Sequence, residues 1–212
     1  MISVLFESVL KDLGTRMAVG CTYKYMMGGP GALAYAYVDK ELQKVLFPEI
    51  GGWWGQQDQF VMGLWYDPVE GIKRYTSGTP PIPSLAMIEP GVDLILKVGI
   101  DAIREKSVKL TTLTIDLYRQ NLAPLGFALG TPENPNQRGS HVALLHPNAY
   151  QIVQALDAEG IVPDFRSPNI CRIGLTPLDT KFIDVTDGFA HVKNIVETGS
   201  YKQFSAEPGR VT

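Results

Sequence analysis

The sequence predicts an α/β chain in which an incomplete α/β region is followed by a C-terminal α+β unit. Three observations carry that reading. Short apolar strand candidates alternate with helical patterns in the first part of the chain. The pattern turns helical from Ser84 to Gln120. After that, strand and helix signals follow one another closely to the end. The division is expected near residue 84, giving regions 1–84 and 85–212.

The elements follow in order. Met17-Ala-Val-Gly-Cys-Thr22 is a short apolar strand candidate that runs into Tyr23, Lys24 and Tyr25. The glycine-rich loop Gly28-Gly-Pro-Gly31 separates it from a second strand, Ala32 to Val38. A short helix spans Lys40 to Val45, and a long irregular stretch follows. That stretch holds Gly51-Gly-Trp-Trp-Gly55 and Thr79-Pro-Pro-Ile-Pro83. Between Ser84 and Gln120, Ile103, Leu110 and Leu117 recur seven apart with Leu113 beside them, the stripe of a core-facing helix. Pro90 removes a backbone bond there and predicts a kink or break. Further strands are expected at Gly126–Leu129, Ser140–Leu145 and Asn169–Leu175. Pro147 opens a helix closed by Gly160, and Thr180 is expected to cap a last helix stopped by Gly199.

Composition narrows the function. With 45% hydrophobic and 19% charged residues, a packed core is within reach and disorder is not expected. Lys+Arg 19 against Asp+Glu 22 leaves net charge −3, so no basic excess exists to hold a nucleic acid backbone. No apolar run approaches the roughly 20 residues that span a bilayer. Acidic Glu7 interrupts the apolar start and no basic segment precedes it, so no signal peptide is expected. Cys21 and Cys171 form no CxxC, and the three histidines form no HxxH or HExxH. Neither a metal site nor a disulfide framework is expected, and a reducing cytoplasm fits.

A few residues have chemical potential. Lys24 follows a strand, lies between two tyrosines and precedes glycines. Such a lysine can form Schiff bases, or it can be an exposed turn residue. Trp53 and Trp54 lie between glycines on an aperiodic stretch. They line a pocket or interface, or form a satellite hydrophobic cluster. Arg172 sits in an apolar strand beside Cys171 and Ile173. Its guanidinium fork suits a ligand carboxylate, or a structural ion pair with an acid such as Asp164. His146, just before Pro147, reads as a capping or turn residue.

Several stretches in this order resemble the kynureninase family, whose members use pyridoxal 5'-phosphate (PLP). They are Cys21-Thr-Tyr-Lys-Tyr-Met-Met-Gly-Gly-Pro-Gly-Ala32, Gly52-Trp-Trp-Gly55 and Gly78-Thr-Pro-Pro-Ile-Pro-Ser-Leu-Ala86. Further on come Arg138-Gly-Ser140, His146-Pro147, Asp164-Phe-Arg166, Arg172-Ile-Gly-Leu-Thr-Pro-Leu178 and Phe182-Ile-Asp-Val185. The resemblance covers nearly everything after about residue 12. It implies a partial large PLP-transferase domain of the aspartate-aminotransferase type, followed by a C-terminal α+β small domain.

The resemblance also implies roles. Lys24 would be the Schiff-base lysine. Tyr23 would touch the cofactor phosphate and help in proton transfer. Trp53 and Thr79 would complete the cofactor site across a dimer interface, and Arg172 would bind the substrate carboxylate. The implied reaction is hydrolysis of L-kynurenine, or 3-hydroxykynurenine, to anthranilate (or 3-hydroxyanthranilate) and L-alanine, within tryptophan catabolism and NAD biosynthesis. Cysteine desulfurases share the fold, but their lysine usually follows a histidine, whereas Tyr23 precedes Lys24 here.

This sequence departs from the family pattern in several places. The aspartate that pairs with the cofactor ring nitrogen, a histidine just after it and the ring-stacking aromatic have no counterpart. Met27 stands where Asn is usual, Gln56 where His is usual, and Asp179 where Tyr is usual. Pro90 and Gly188 fall where helix formers are usual. The chain is therefore expected to be the C-terminal half, acting as a homodimer or with a complementing N-terminal half. The alternative is a non-catalytic remnant or interaction subunit. An unfinished sheet predicts poor solubility or self-association for the chain alone, with the part after residue 85 more stable.

Overall fold

The computed structural model describes residues 13–207. It divides into two compact units at Ile100/Asp101. The expected division at 84/85 falls within a helix at 82–86 and ahead of one at 89–98, both of which this division assigns to the first unit.

The first unit is built on an antiparallel hairpin of β1 (Met17–Cys21) and β2 (Ala34–Val38), in register from Met17 opposite Val38 to Cys21 opposite Ala34. Its open end is closed by the Asp39 N–H, which donates to the Arg16 carbonyl at 2.8 Å, and by an Arg16–Asp39 ion pair at 3.3 Å. Asp39 then starts α1 (Lys40–Val45), its carboxylate accepting from the N–H groups of Glu41 and Leu42 at 3.1 and 3.2 Å. The irregular stretch contains 3-10 turns at Trp53–Gly55 and Gly71–Tyr75. Buried Arg74 ties this stretch to the end of α1. It donates to the carbonyls of Val69 and Leu46 and lies over the Phe47 ring.

Helices α2 (Ile82–Ala86), α3 (Glu89–Val98) and α4 (Ile100–Leu117) replace the single helical stretch that the sequence pattern suggests. Pro90 does not kink a helix. It occupies the first turn of α3, where its missing N–H has no intrahelical partner to lose. Gly99 separates α3 from α4 at φ 84°, and α4 passes into one π-helical turn at Tyr118–Leu122.

The second unit is a four-stranded antiparallel sheet of β3 (Ala128–Leu129), β4 (His141–Leu145), β5 (Asp164–Arg166) and β6 (Ile170–Gly174), in the order β3-β4-β6-β5. Helices α5 (Ala149–Ala158) and α6 (Phe182–Thr198) share its core. Val142, Leu144 and Cys171 face that core, and the Phe165 ring meets Tyr150 of α5 edge-on at 5.0 Å. Leu110 and Ile115 of α4 join Leu122, Ile152, Leu156, Phe189 and Ile195 there.

Three sequence expectations need correction. The strand expected at Gly126–Leu129 shrinks to two residues. β5 lacks the length to show a period and was not expected. Thr180 does not cap α6: Lys181 is the capping position, and the Asp184 carboxylate accepts its N–H at 2.8 Å. The other termini behave as expected, with Gly160 and Gly199 at φ 80° and 70° ending α5 and α6.

Candidate functional site

The connection between β1 and β2 carries Lys24. A dense set of local bonds shapes it. The Thr22 N–H and hydroxyl both donate to the Leu33 carbonyl, the Gly28 N–H to the Thr22 carbonyl at 3.0 Å, and the Met27 N–H to the Lys24 carbonyl at 2.9 Å. Met27 takes the left-handed conformation at φ 56°. Asn adopts that region more readily than Met, which explains why Asn suits this position. From outside the loop, α3 presses on it. A Cβ on Gly91 would lie 2.2 Å from the Met26 carbonyl oxygen, so only glycine allows this approach.

Lys24 and Tyr23 are both exposed on this frame. The Lys24 ammonium lies 5.2 Å from the centre of the Tyr23 ring. It makes no ion pair among the described residues. Its amine is therefore open to a reacting carbonyl.

Trp53 and Thr79 lie on a second patch of the same unit. A Cβ on Gly52 would lie 1.7 Å from the Ser77 carbonyl oxygen, so the Gly-Trp-Trp-Gly stretch runs directly against the stretch that carries Thr79. Trp53 is half-exposed, edge-on to Trp54 at 5.7 Å and tilted against Phe60 at 6.0 Å. Thr79 is exposed. The indole N–H of Trp54 is buried without a hydrogen-bond partner among the described residues. Gln56, which replaces the usual His, accepts the Asp67 N–H through its side-chain oxygen at 2.9 Å and so serves the loop itself. No hydrogen bond or ring contact joins this patch to Lys24 and Tyr23 among the described residues.

Arg172 belongs to the second unit, on the sheet face away from the core. Its guanidinium is ion-paired with Asp164 on the adjacent strand, the structural alternative weighed from sequence. Arg166 reaches the same carboxylate oxygen at 3.1 Å. Nearby His141 is held below the ordinary histidine range by burial and then by the Arg172 charge. His146 turns out as its sequence position suggests: its Nδ1 accepts the Asn148 N–H at 3.0 Å at the start of α5, and its ring stacks on Phe127 at 4.5 Å. Burial lowers its pKa more than its bond to Leu125 raises it. The Cys171 thiol is pushed up to about 12 by burial, assisted by Asp164, which makes it unreactive.

Sequence reasoning missed the part played by Arg138. It is buried, and its guanidinium donates to the hydroxyls of Thr111 and Thr112 at 3.0 and 2.8 Å and to the Glu133 carbonyl. The buried polar set Ser107, Thr111 and Thr114 on the core-facing side of α4 was the available signal. Among the described residues no group of His, Cys, Asp and Glu could hold a metal ion, and no helix is long and apolar enough to cross a membrane.

Comparison with known proteins points to kynureninases. Residues 103–192 match the kynureninase C-terminal domain. This stretch is similar to the kynureninase family. The wider chain is 40% identical over 185 residues to a kynureninase of Burkholderia mallei, covering 87% of this chain and 44% of that protein. It is 41% identical over 194 residues to a kynureninase of Pseudomonas fluorescens, covering 92% of this chain and 47% of that protein. The chain thus spans about half the length of the curated kynureninases it matches.

Solved structures agree on the fold. A cysteine desulfurase from Thermococcus onnurineus has a TM-score of 0.78 at 19% identity, over 89% of this chain and 49% of that one. One from Escherichia coli has a TM-score of 0.76 at 18% identity, over 92% and 49%. The resemblance to kynureninase and the partial PLP-transferase architecture expected from the sequence are both borne out.

Proposed function

We propose that this chain supplies the lysine-bearing half of a kynureninase-type, PLP-dependent hydrolase. The observation that carries this reading is the open amine of Lys24, beside Tyr23 on a rigidly bonded hairpin connection. Support comes from the kynureninase relatives and from a cystine C–S lyase of the same fold. That lyase matches with a TM-score of 0.72 at 16% identity, over 87% of this chain and 47% of that one, and is described with glycine covalently linked to its PLP cofactor.

The residues present fit one end of the cofactor. An amine with no competing ion pair suits its aldehyde, and the phenol of Tyr23 suits its phosphate. The carboxylate that the family places at the ring nitrogen has no counterpart here. A complementing N-terminal half would supply that carboxylate, and a second copy within a homodimer would bring Trp53 and Thr79. Bound pyridoxal phosphate supplies an electron sink for bond cleavage next to the amino acid α-carbon. Lys24 would hold the aldehyde carbon and move the proton at the α-carbon. Tyr23 would hold the phosphate and assist that transfer; by the family resemblance Trp53 and Thr79 would complete the cofactor site and Arg172 would bind the substrate carboxylate. The net reaction adds one water to L-kynurenine, or its 3-hydroxy form, and releases the anthranilate and L-alanine.

The test is the absorption spectrum of the purified chain with added pyridoxal phosphate. A visible band that Lys24→Ala abolishes is expected. A spectrum identical to that of Lys24→Ala would overturn a cofactor site in this chain alone. A second reading, a non-catalytic interaction subunit, is favoured by one observation: Leu64 and Trp65 stand 98% and 87% exposed.

A further inference from the structure

We infer that Asp164 is the positioning residue of a carboxylate-binding site whose contacting group is Arg172; the inference rests on the function proposed above. The strand register puts the groups together. Arg172 of β6 lies between Ala143 of β4 and Asp164 of β5, while His141 faces Gly174 and Arg166 faces Ile170. Alternation along each strand sends Arg172, Asp164, Arg166 and His141 to one face, opposite the core-facing Val142, Leu144 and Cys171.

The charge on this face does not balance. A single oxygen of Asp164 takes both guanidiniums, and no other carboxylate lies within ion-pair distance of either arginine among the described residues. One carboxylate against two arginines leaves a surplus positive charge. Partial burial and the Arg172 charge both disfavour adding a proton to His141. The Arg172 and Asp164 side chains are 36% and 40% exposed, so the pair adds little to stability. What the pair does is fix a long side chain. Asp164 takes Nη2 of Arg172, and N–H donors at Nε and Nη1 remain for carboxylate oxygens. A monoanionic carboxylate, such as that of an amino acid substrate, matches both the surplus charge and the free donors.

The experiment follows the side-chain Nε–H signal of Arg172 by NMR in the full chain. L-Kynurenine is titrated in, and then its decarboxylated amine. Arg172 is expected to respond to the amino acid and not to the amine. Asp164→Asn should weaken L-kynurenine binding by about tenfold, the worth of one charge-assisted bond, and Asp164→Glu should restore part of the loss. Unchanged or tighter binding in Asp164→Asn would overturn the proposal, as would a wild-type Arg172 that ignores L-kynurenine. Should Asp164→Asn melt early, Arg166→Gln tests the surplus charge separately from the positioning: its removal must weaken binding several-fold, and unchanged binding overturns the site. The cofactor spectrum is a separate readout. Asp164-dependent binding without a Lys24-dependent band would keep this inference and sink the catalytic reading, and the reverse result would do the opposite.

Discussion

The two units differ most in what they bury. Among the described residues, Val38 and Ile95 are the only buried hydrophobic residues of the first unit. The second unit encloses a continuous cluster from Leu110 to Tyr201. The surface inverts that contrast: Val19, Phe60, Met62, Leu64 and Trp65 stand open on the first unit, while Val162, Phe182 and Ile183 are the large exposed hydrophobics of the second. Local hydrogen bonds shape the first unit, and apolar packing holds the second. A segment of the first kind keeps its loop geometry yet gains little stability by itself. The residues proposed for catalysis lie mainly in that weakly packed half.

Core truncation breaks the contrast most sharply. Phe189→Ala should cost about 3–5 kcal/mol and lower the main thermal transition. Leu64→Ser, at a site 98% exposed, should leave that transition in place and reduce self-association measured by light scattering. If both variants shift the melt equally, the two halves share one cooperative core.

Acid provides a smaller test, aimed at the second unit. Burial depresses the pKa of both His146 and His141 on folding, with the Arg172 charge adding to the effect on His141. The unfolded chain therefore binds more protons than the folded one in the histidine range. The stabilisation is complete above the ordinary histidine value of about 6.5 and is lost as pH falls below it. The melting temperature should drop between about pH 7.5 and about pH 5.5, and His146→Asn should flatten that slope. A flat wild-type profile would contradict the assignment.

The smallest effects come from backbone fit. Gly188 lies inside α6 with open space where a Cβ would stand, so Gly188→Ala should stabilise the second unit by about 1 kcal/mol in a denaturant titration. Met27→Asn relieves a left-handed methionine and should stabilise the lysine loop by a similar ~1 kcal/mol, seen as slower amide exchange over residues 22–32. That gain should leave the main melt unmoved, because the loop lies outside the large core.

Much of this architecture was legible in the sequence, and the reasons are local. The β1 and β2 strands, α1, β4, β6 and the glycine stops of α5 and α6 all carry their signals within a few residues. What escaped depends on partners far along the chain. Pro90 resembles a helix breaker until the preceding residues are seen to lie outside α3. β5 is too short to show alternation, and its existence depends on pairing with β6. Arg172 was legible as a charge needing a partner, and Asp164 was its named candidate. The second guanidinium on that carboxylate, and the place of His141 on the same face, emerge only from strand register. Lys24 stood out because three local cues coincide there: a strand end, flanking tyrosines and the glycine loop.

The contact between Gly91 and the Met26 carbonyl gives protein engineers a dial. Residue 91 is remote in sequence from Lys24, yet the 2.2 Å clearance for a Cβ means that any larger side chain must push the lysine loop or tilt the helix. A graded series at this one site, from alanine through serine to valine, would move the amine in increments without altering a group that meets a ligand. It would read how finely the reactive nitrogen must be placed.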